Sequence, residues 1–357
     1  MDLPGKGVSY WLDSAPTTSF PVQEGDLAVD VAILGGGIVG VTVGFLLKEA
    51  GVRVALVEAR RVLEGVTGHT TGKLTSLHAL IYRSLIDRFD RERAYEQNPP
   101  LPYHTLGAAC FQNQARFHPR KYLLALANAI PGNGSYILEQ TTVLDVDDGR
   151  PAIVTTNHGK IRAHDVIVAT HFPFLDRGLY FTRQTPRLAY VLGGYVVEPV
   201  PEGLFISTQP DYHSLRPQPT SDGMMLIAGG GEHVTGQGGD TRQYYRDLDS
   251  WVHQHFHVRS IAYRWSTQDN YTVDGLPFVG KYTPVSSHLY VATGFFGWGM
   301  TNGTAAALLL ADTILGRPNP WAAVYDPSRV WRAKTLFGAA RRGTESAGQL
   351  VTPLATP

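Results

Sequence analysis

Residues 29–58 read VDVAILGGGIVGVTVGFLLKEAGVRVALVE, and the fold is decided within this stretch. Residues 29–34 form a nearly continuous aliphatic run, as in a strand that is buried on both faces of a parallel sheet. Three glycines interrupt the run, and residues 38–50 then show helical spacing up to Gly51, which suits a helix C-terminus. Residues 52–58 read as a second strand. The stretch therefore predicts one complete β-α-β unit of about 30 residues.

The glycines of this unit have the spacing of a dinucleotide-binding turn. Gly35 permits the tight turn, Gly37 lets the backbone approach a pyrophosphate, and Gly40 lets the helix pack closely on the strand. The helix start, at Ile38 and Val39, supplies unpaired N–H groups and a positive dipole end for phosphates. The alternative is that the glycines only shape a tight strand–helix turn.

An acid at the end of the second strand completes the pattern. Glu58 is placed to accept hydrogen bonds from ribose hydroxyls, and its negative charge disfavours a 2′-phosphate, which argues against NADP. Ala59 and Arg60 follow it and are assigned to the same site. Small and hydroxyl residues come next and could line a pyrophosphate and a flavin edge: Thr67, His69, Thr70, Thr71 and Gly72.

A second glycine-rich turn favours FAD over NAD. Residues 292–301 read ATGFFGWGMT and lead from a strand predicted at 289–293 into a helix predicted at 303–315. The N–H groups of a helix start here could stabilise negative charge at the pyrimidine edge of a reduced flavin. FAD is therefore the predicted cofactor. An NAD-dependent dehydrogenase is the weaker alternative, because it leaves this turn unexplained.

The remaining predicted strands divide between two regions. Strands at 153–156 and 166–169 belong near the parallel sheet, whereas strands at 187–198 and 224–228 read as antiparallel, separated by turn-rich stretches such as 216–219. The predicted fold class is α/β (α+β overall), with a Rossmann-like FAD-binding domain and an interleaved, mainly antiparallel β substrate domain. The predicted boundaries are 1–95, 112–175 and 268–328 for the FAD-binding domain, 96–111 and 176–267 for the substrate domain, and 329–357 for a C-terminal tail.

Composition excludes several classes of partner. Lysine plus arginine and aspartate plus glutamate are 31 each, so nucleic acid and anionic membrane surfaces are not expected to bind. The single cysteine, Cys110, excludes an intrachain disulfide and a self-contained cysteine-ligated cluster, and it favours a cytoplasmic compartment. The first 20 residues lack the apolar region of a signal peptide, and the longest apolar run near the C-terminus, 305–310, is too short to cross a bilayer. We therefore expect a soluble, cytoplasmic protein.

Several motifs together resemble the D-amino-acid oxidase and glycine oxidase superfamily of FAD-dependent oxidoreductases. More narrowly, they resemble a bacterial subgroup that often carries a C-terminal Rieske domain. Besides the two glycine-rich motifs, the matching stretches are SYWLD at 9–13, TGHTT at 67–71, FHPRKY at 117–122, VATH at 168–171, YHSLR at 212–216 and DGLPFVG at 274–280.

The resemblance implies positions for individual residues around FAD. It implies that the backbone of Thr142 and Val143 flanks the adenine and that Thr70, Thr71 and Gly72 lie near the isoalloxazine. Ala169 and Thr170, in the VATH motif, are assigned to the cofactor site. The second glycine-rich turn is expected to close over the flavin through Gly294, Gly297, Gly299, Met300 and Thr301.

The sequence departs from this family at two places. Family members carry tens of additional, largely helical residues between the positions of Asp90 and Pro99, where only residues 91–98 remain here. That segment normally supplies part of the substrate domain. The tail after Asp326 contains no Rieske domain, so electrons are expected to leave the flavin to oxygen or to an external acceptor.

Flavin-dependent amine oxidation needs a substrate carbon aimed at the flavin and a clamp for any carboxylate, since the cofactor supplies the chemistry. Arg216 is the best clamp candidate because a guanidinium holds a carboxylate bidentately. The alternative is a surface arginine before Pro217. His213 is a candidate proton acceptor over the flavin, or a structural histidine.

Other candidates have weaker support. His69 lies where some flavoproteins link FAD covalently, whereas Cys110 reads as an inert buried thiol. The residues at 253, 255 and 257 are all histidines, but no nearby acid or cysteine completes a ligand set, so no metal is expected. Phe296 and Trp298 either wall the flavin or belong to the core.

The predicted function is oxidation of an amine or amino acid by hydride transfer to flavin N5, with reoxidation by oxygen or an external acceptor. The alternative is a non-catalytic FAD-binding protein in which the short segment after Asp90 leaves the substrate domain incomplete.

Overall fold

The computed structural model describes residues 3–75, 99–105, 108, 113–207 and 212–331. The chain divides into two units, which we name by their sheets. The parallel unit comprises Ala15–Gly68, Pro119–Pro186 and Asp269–Pro357, and the antiparallel unit comprises Met1–Ser14, His69–His118 and Arg187–Gln268.

The strands and helices of the described residues follow in chain order. The strands are β1 (Leu27–Leu34), β2 (Val54–Val57), β3 (Lys73–Leu74), β4 (Ala115–Arg116), β5 (Tyr136–Leu138), β6 (Val143–Asp147), β7 (Ala152–Thr156), β8 (Gly159–Val168), β9 (Gln184–Val196), β10 (Phe205–Ile206), β11 (His213–Thr220), β12 (Gly223–Val234), β13 (Val258–Thr272), β14 (Phe278–Lys281) and β15 (Leu289–Thr293). The α-helices are α1 (Tyr10–Asp13), α2 (Ile38–Glu49), α3 (Pro119–Asn128), α4 (Thr241–His255), α5 (Gly299–Ile314) and α6 (Ala322–Tyr325).

The parallel unit is built on an eight-stranded sheet with the order β14-β15-β8-β1-β2-β5, to which β7 and β6 are added beside β8. The pairs β1–β2, β1–β8, β8–β15 and β2–β5 are parallel. Residues 31–34 of β1 are at most 1% exposed, as the predicted two-sided burial requires. The predicted β-α-β unit is confirmed as β1, α2 and β2.

The carboxyl ends of four parallel strands meet at one edge of this sheet. In the register, Leu34 of β1 lies opposite both Val57 of β2 and Val168 of β8, and Val291 of β15 also pairs with Val168. The residues that leave these strands are therefore brought together, although they are up to 259 positions apart in the chain (Gly35 to Gly294, 294 − 35). Open α/β sheets bind ligands at this edge.

The antiparallel unit contains a five-stranded sheet with the order β10-β11-β12-β9-β13 and a two-stranded sheet of β3 and β4. Leu192, Leu226 and Ala228 from the five-stranded sheet pack with Leu248 and Val252 of α4 in one core. A second core combines Trp11 and Tyr10 of α1 with Trp265 and Ile227.

The prediction of a turn-rich stretch at 216–219 is wrong, because these residues lie inside β11. Pro217 pairs with Leu226 and Pro219 with Met224 of β12. The two prolines are two residues apart, so both positions that lack an N–H point to the same side of the strand. β10 pairs only with residues 214 and 215, so no strand of the described ranges forms a ladder with that side from residue 216 onwards.

The compact units differ in extent from the predicted domains. Residues 1–14, 69–75 and 113–118 group with the antiparallel sheet, whereas residues 176–186 group with the parallel sheet. The tail beyond residue 331 and the segment 76–98 lie outside the described residues, and the division into cofactor and substrate domains stays a prediction. Among the described residues, no helix has the length and apolar character needed to cross a membrane.

The hydroxyl of Tyr282 gives a test of packing in the parallel unit. Tyr282 is fully buried and donates a 2.6 Å hydrogen bond to the carbonyl oxygen of Leu175. We expect Tyr282→Phe to lower the free energy of unfolding by about 1–2 kcal/mol, because the buried carbonyl loses its donor. Urea denaturation measures the change. Tyr136→Phe, at an exposed position of β5, is the control and is expected to change stability by less than about 0.5 kcal/mol. Equal effects of the two substitutions would contradict the assignment.

Candidate functional site

In the turn after β1, backbone atoms approach one another so closely that only glycine fits. Gly35 has a φ of 109°, and a Cβ there would lie 2.5 Å from the carbonyl oxygen of Ala169, the residue that follows β8. A Cβ on Gly40 would lie 1.9 Å from the carbonyl oxygen of Gly35. The predicted roles of both glycines in a tight turn and a close helix therefore agree with the geometry.

The N-termini of α2 and α5 lie together beside this turn. Gly37 caps α2 without a side chain, and the Thr67 hydroxyl accepts a 3.0 Å hydrogen bond from the N–H of Ile38. A Cβ on Gly303, in the second turn of α5, would lie 2.9 Å from Ile38 and 3.4 Å from Val39. Two positive helix ends converge here, which is the arrangement that a pyrophosphate requires.

Glu58 follows β2 at the same edge of the sheet. Its carboxylate accepts hydrogen bonds from the N–H groups of Gly36 (2.8 Å) and Arg60 (3.0 Å). An ionised carboxylate has about four acceptor positions, so two remain for ribose hydroxyls. Glu58 is half-buried, and Ala59 and Arg60 are exposed beside it.

The second glycine-rich turn follows β15 and leads into α5. Gly294 has a φ of 77°, and a Cβ there would lie 2.3 Å from the side chain of Thr272. The N–H of Gly297 donates a 2.7 Å hydrogen bond to Asp269, and Phe296 stacks on Tyr271 with ring centroids 4.1 Å apart. A Cβ on Gly299 would meet no atom within 4 Å, so the helix start is open to a ligand. Met300 is buried and Thr301 is half-buried in the first turn.

Buried polar atoms near this turn need a partner that the described residues do not supply. Asn270 Oδ1, Thr272 Oγ1 and Gln184 Nε2 are buried without a hydrogen-bond partner in the described part of the chain. Such atoms normally bind ordered water or a ligand. Together with the two glycine-rich turns and the two helix ends, they fit a large polar cofactor at this edge of the sheet.

Other predicted cofactor residues lie on neighbouring segments of the parallel unit. The Ala169 N–H donates to the carbonyl of Leu34 at 2.8 Å, and the Thr170 hydroxyl donates to the carbonyl of Phe172 at 3.0 Å. Of the two predicted adenine neighbours, Thr142 binds Asn157 through both its N–H and its carbonyl, and Val143 pairs with Thr156 of β7.

The segment of residues 69–72 begins the second part of the antiparallel unit, and its four consecutive carbonyls all accept hydrogen bonds from side chains. Trp265 Nε1 donates to His69 (2.8 Å) and Trp11 Nε1 donates to Thr70 (2.6 Å). Arg216 Nη1 donates to Thr71 (2.8 Å) and Gly72 (2.6 Å). The three donor residues are buried. They hold the backbone of Thr70, Thr71 and Gly72 in one conformation.

Arg216 is 1% exposed, so the alternative of a surface arginine is wrong. Its guanidinium also donates to Gln218 Oε1, and with the two carbonyls most of its donors are committed. Burial, and to a smaller degree the charge of Arg116, lowers the pKa of Arg216 to about 9. To bind a substrate carboxylate bidentately, Arg216 would have to give up these protein acceptors. Its charge can attract an anion at longer range without losing them.

Lys73 is a candidate that the sequence interpretation missed. Burial, and to a smaller degree the charge of Arg216, lowers the pKa of Lys73 to about 7. No local sequence pattern predicts the lowered pKa of Lys73, because its cause is desolvation that arises only when β3 is part of the folded unit. A lysine that titrates near neutral pH is a functional candidate.

His213 lies flat on Trp251 of α4, with ring centroids 4.0 Å apart and an interplanar angle of 7°. This stacking favours the structural alternative, while the role of proton acceptor stays a prediction. His69 ends a short 3₁₀ helix, Val66–His69, and nothing in its surroundings tests covalent attachment. Cys110 lies outside the described residues.

The three histidines at the end of α4 do not form a ligand set. The ring Nδ1 atoms of His253 and His255 lie 2.9 and 2.8 Å from the carbonyls of Asp249 and Trp251, one turn earlier. His257 lies beyond the helix and contacts Glu198. The helical reading of residues 244–255 therefore holds, and it separates the rings.

A protein-family model described as DAO, FAD dependent oxidoreductase, matches residues 30–96 and 78–313. The two matched stretches overlap at residues 78–96, so the match breaks in the region of the shortened segment after Asp90. Residues 76–98 lie outside the described part of the chain.

Individual proteins also resemble this chain in sequence or in fold. The chain is 33% identical over 383 residues to YhfW of Bacillus subtilis, which carries the name of a Rieske 2Fe-2S iron-sulfur protein; the alignment covers 90% of this chain and 75% of YhfW. The fold resembles L-proline dehydrogenase from P. horikoshii (TM-score 0.69, 18% identity, 87% of this chain and 99% of that one). It also resembles glycine oxidase from Geobacillus kaustophilus (TM-score 0.63, 19% identity, 85% and 99%).

Gly40 tests the dinucleotide turn. We expect Gly40→Ala to weaken FAD binding at least about 10-fold, because its Cβ would lie 1.9 Å from the Gly35 carbonyl and displace α2 from the pyrophosphate. Flavin fluorescence on titration of the apoprotein measures the affinity. Gly65→Ala is the matched control, since a Cβ there meets no atom within 4 Å. Unchanged FAD affinity in Gly40→Ala would show that this turn does not bind the cofactor.

The lowered pKa of Lys73 predicts that the free energy of unfolding depends on pH. Between pH 7 and 10.5 the unfolded chain binds a proton at Lys73 that the folded chain has released, so the free energy of unfolding rises with pH in this range. Lys73→Met lacks this contribution. Urea denaturation at pH 7 and pH 9 should therefore show that the variant's stability advantage over the wild type shrinks as pH rises. A pH-independent difference between the two proteins would contradict the lowered pKa.

Proposed function

This chain belongs to the DAO family of FAD-dependent oxidoreductases, and we propose that it oxidises an amino acid, or a related amine, at the carbon that bears nitrogen. Its cofactor is FAD, which the family model specifies and which the two glycine-rich turns of the parallel unit fit. The resemblance that the sequence predicts is thereby confirmed. The nature of the substrate and the course of the reaction are the proposal.

The observation that carries the proposal is a pair of desolvated cations, buried Arg216 and half-buried Lys73, with no acidic partner among the described residues. Arg216 and Lys73 lie close enough for the charge of one to lower the pKa of the other, and no carboxylate among the described residues offsets them. A buried charge is costly unless it is paired. A carboxylate on the substrate would supply the missing negative charge. The names of two proteins with the same fold, glycine oxidase and L-proline dehydrogenase, support the same substrate class.

The residues of the chain have separate tasks in this proposal. The N–H groups at the starts of α2 and α5 would hold the pyrophosphate and a flavin edge, and Glu58 would hold the ribose. Trp11, Trp265 and Arg216 fix the backbone of residues 69–72, which the resemblance assigns to the flavin surroundings. When bound, FAD would supply the acceptor for a hydride from the substrate, at flavin N5, and the electrons would then leave to oxygen or to an external acceptor.

Lys73 and Arg216 share the recognition of the carboxylate. The donors of Arg216 are engaged by backbone carbonyls, so we assign it a positioning and electrostatic role instead of the bidentate contact that the sequence predicts. The ammonium of Lys73 makes no hydrogen bond or ion pair with another described residue, and it can bind an anion directly. An anion next to Lys73 would raise its pKa and keep it protonated.

Oxygen or an external acceptor is the proposed exit for the electrons of the flavin. Comparing oxygen consumption with the reduction of an artificial acceptor separates the two.

A non-catalytic FAD-binding protein is the second candidate. The break in the family match at residues 78–96 favours it, because the missing segment supplies part of the substrate domain in relatives. In that case FAD would bind and accept electrons photochemically, yet no amine would reduce it.

An anaerobic substrate panel tests the proposal. We expect some amino acids to bleach the flavin absorption band, and the corresponding amines without a carboxylate to do so at least about 10-fold less efficiently, because they lack the charge that the two cations attract. The panel holds glycine, proline and both enantiomers of other amino acids, each with its decarboxylated counterpart. Bleaching by none of them, with photoreduction intact, would establish the second candidate instead.

Variants make the same test specific to Lys73. Lys73→Met is expected to raise the half-saturating amino-acid concentration at least about 10-fold while changing that for an amine less than about 2-fold. Lys281→Met, at an exposed position of β14, is the matched control and should change neither. A loss that is equal for amino acids and amines would indicate a structural role for Lys73.

A further inference from the structure

Two histidines and an aspartate of the parallel unit converge outside the cofactor site. His164 Nδ1 lies 2.7 Å from one carboxylate oxygen of Asp165, and His288 Nδ1 lies 3.0 Å from the other. The two imidazole rings are 4.6 Å apart in an edge-to-face arrangement. One ligand atom from each of the three residues lies within 4.8 Å of the others. Nothing in the proposed oxidation uses this group.

The backbone around these side chains is held on several sides. Asp165 pairs with Val31 in the middle of the sheet and is 7% exposed. The N–H of His288 donates to Asp148 at 3.0 Å, and its carbonyl accepts a 2.8 Å hydrogen bond from the N–H of Val166. The strand pairing and Asp148 therefore fix the backbone positions of Asp165 and His288, which reduces the cost of closing the group around an ion, whereas the exposed His164 ring is free to adjust.

We propose that His164, Asp165 and His288 bind a divalent transition-metal ion such as Zn²⁺, Co²⁺ or Ni²⁺. Imidazole nitrogen and carboxylate oxygen are the ligands that these ions take in proteins. With bonds of about 2.0–2.1 Å, neighbouring ligand atoms are about 3.0 Å apart in an octahedral site and about 3.3 Å apart in a tetrahedral one. The 2.7 and 3.0 Å separations run to the two different oxygens of Asp165, and the three ligand atoms lie within 4.8 Å of one another, so the group has to close by up to about 1.5 Å around an ion.

The charges around the group allow a cation. Asp165 and Asp148 both lie near His288: an Asp165 oxygen is 3.0 Å from the His288 ring, and Asp148 accepts a 3.0 Å hydrogen bond from the His288 N–H. Arg150 and Arg162 oppose them, but both are exposed at the wall of a cavity of about 620 Å³ and are screened by solvent. His164 and His288 line the same cavity, so water can complete the coordination from that side.

The position of the group separates it from the flavin. His288 precedes β15, whereas Gly294 follows it, so the two mark opposite ends of a five-residue strand about 17 Å long. An ion here would tie the start of β15 to β8 and would leave the carboxyl ends of the strands unchanged. It would therefore act on the stability of the sheet and not on the transfer of electrons.

A direct test uses the full, tag-free chain loaded with FAD and titrated with Zn²⁺ in a calorimeter. We expect one Zn²⁺ per chain and a rise in melting temperature with added Zn²⁺, while the flavin spectrum stays unchanged. His164→Gln and His288→Gln should each weaken binding at least about 10-fold, since each removes one ligand. His158→Gln, an exposed histidine of the same unit, is the control and should bind like the wild type.

Two results would overturn the proposal. One is binding of much less than one Zn²⁺ per chain, which would leave the hydrogen bonds of the two histidines as the only stabilisation of buried Asp165. The other is equal affinity in the two ligand variants and the control. If a ligand variant does not fold, zinc X-ray absorption of the wild type decides: two imidazole ligands support the site, and fewer than two contradict it.

Discussion

The contact between Gly40 of α2 and the carbonyl of Gly35 is the constraint on which the parallel unit depends. With no Cβ at either position, the helix starts directly against the turn that leaves β1, and the same turn touches the carbonyl of Ala169. The N-terminus of α2 is thereby fixed at the carboxyl edge of the sheet. Gly303 then brings the start of α5 to the same place, so the positive ends of two helices face one ligand.

The antiparallel unit depends on a different interaction, that of buried side-chain donors with consecutive carbonyls. Trp265, Trp11 and Arg216 bind the carbonyls of residues 69–72, a segment with too little regular structure to satisfy them internally. The arrangement leaves buried Arg216 and half-buried Lys73 as cations whose charge is not neutralised by a carboxylate in the described residues. In the function that we propose, the same residues that hold this backbone in place also attract an anionic substrate.

The sequence predicts the parallel unit better than the antiparallel one. The predicted strand at 289–293 and the β-α-β unit agree with the structure, and the family resemblance is confirmed, because glycine spacing and two-sided burial are local signals. The stretch at 216–219 resembles a turn because it contains two prolines, yet it lies in β11. Among the described strands, none pairs with that side of β11 at Pro217 and Pro219, and strand order is not visible in the sequence.

The sequence by itself determined the cofactor, since the requirements of a pyrophosphate for glycine, a helix start and an acid are met within 30 consecutive residues and supported by a second glycine-rich turn. Only the tertiary structure decided which side chains are buried beside one another. Arg216 is buried and donates hydrogen bonds to backbone carbonyls, and Lys73 has a lowered pKa. His164, Asp165 and His288 lie close together. Each of these follows from residues that are distant in the chain and adjacent in space, because hydrogen bonding and desolvation act through space and not along the chain.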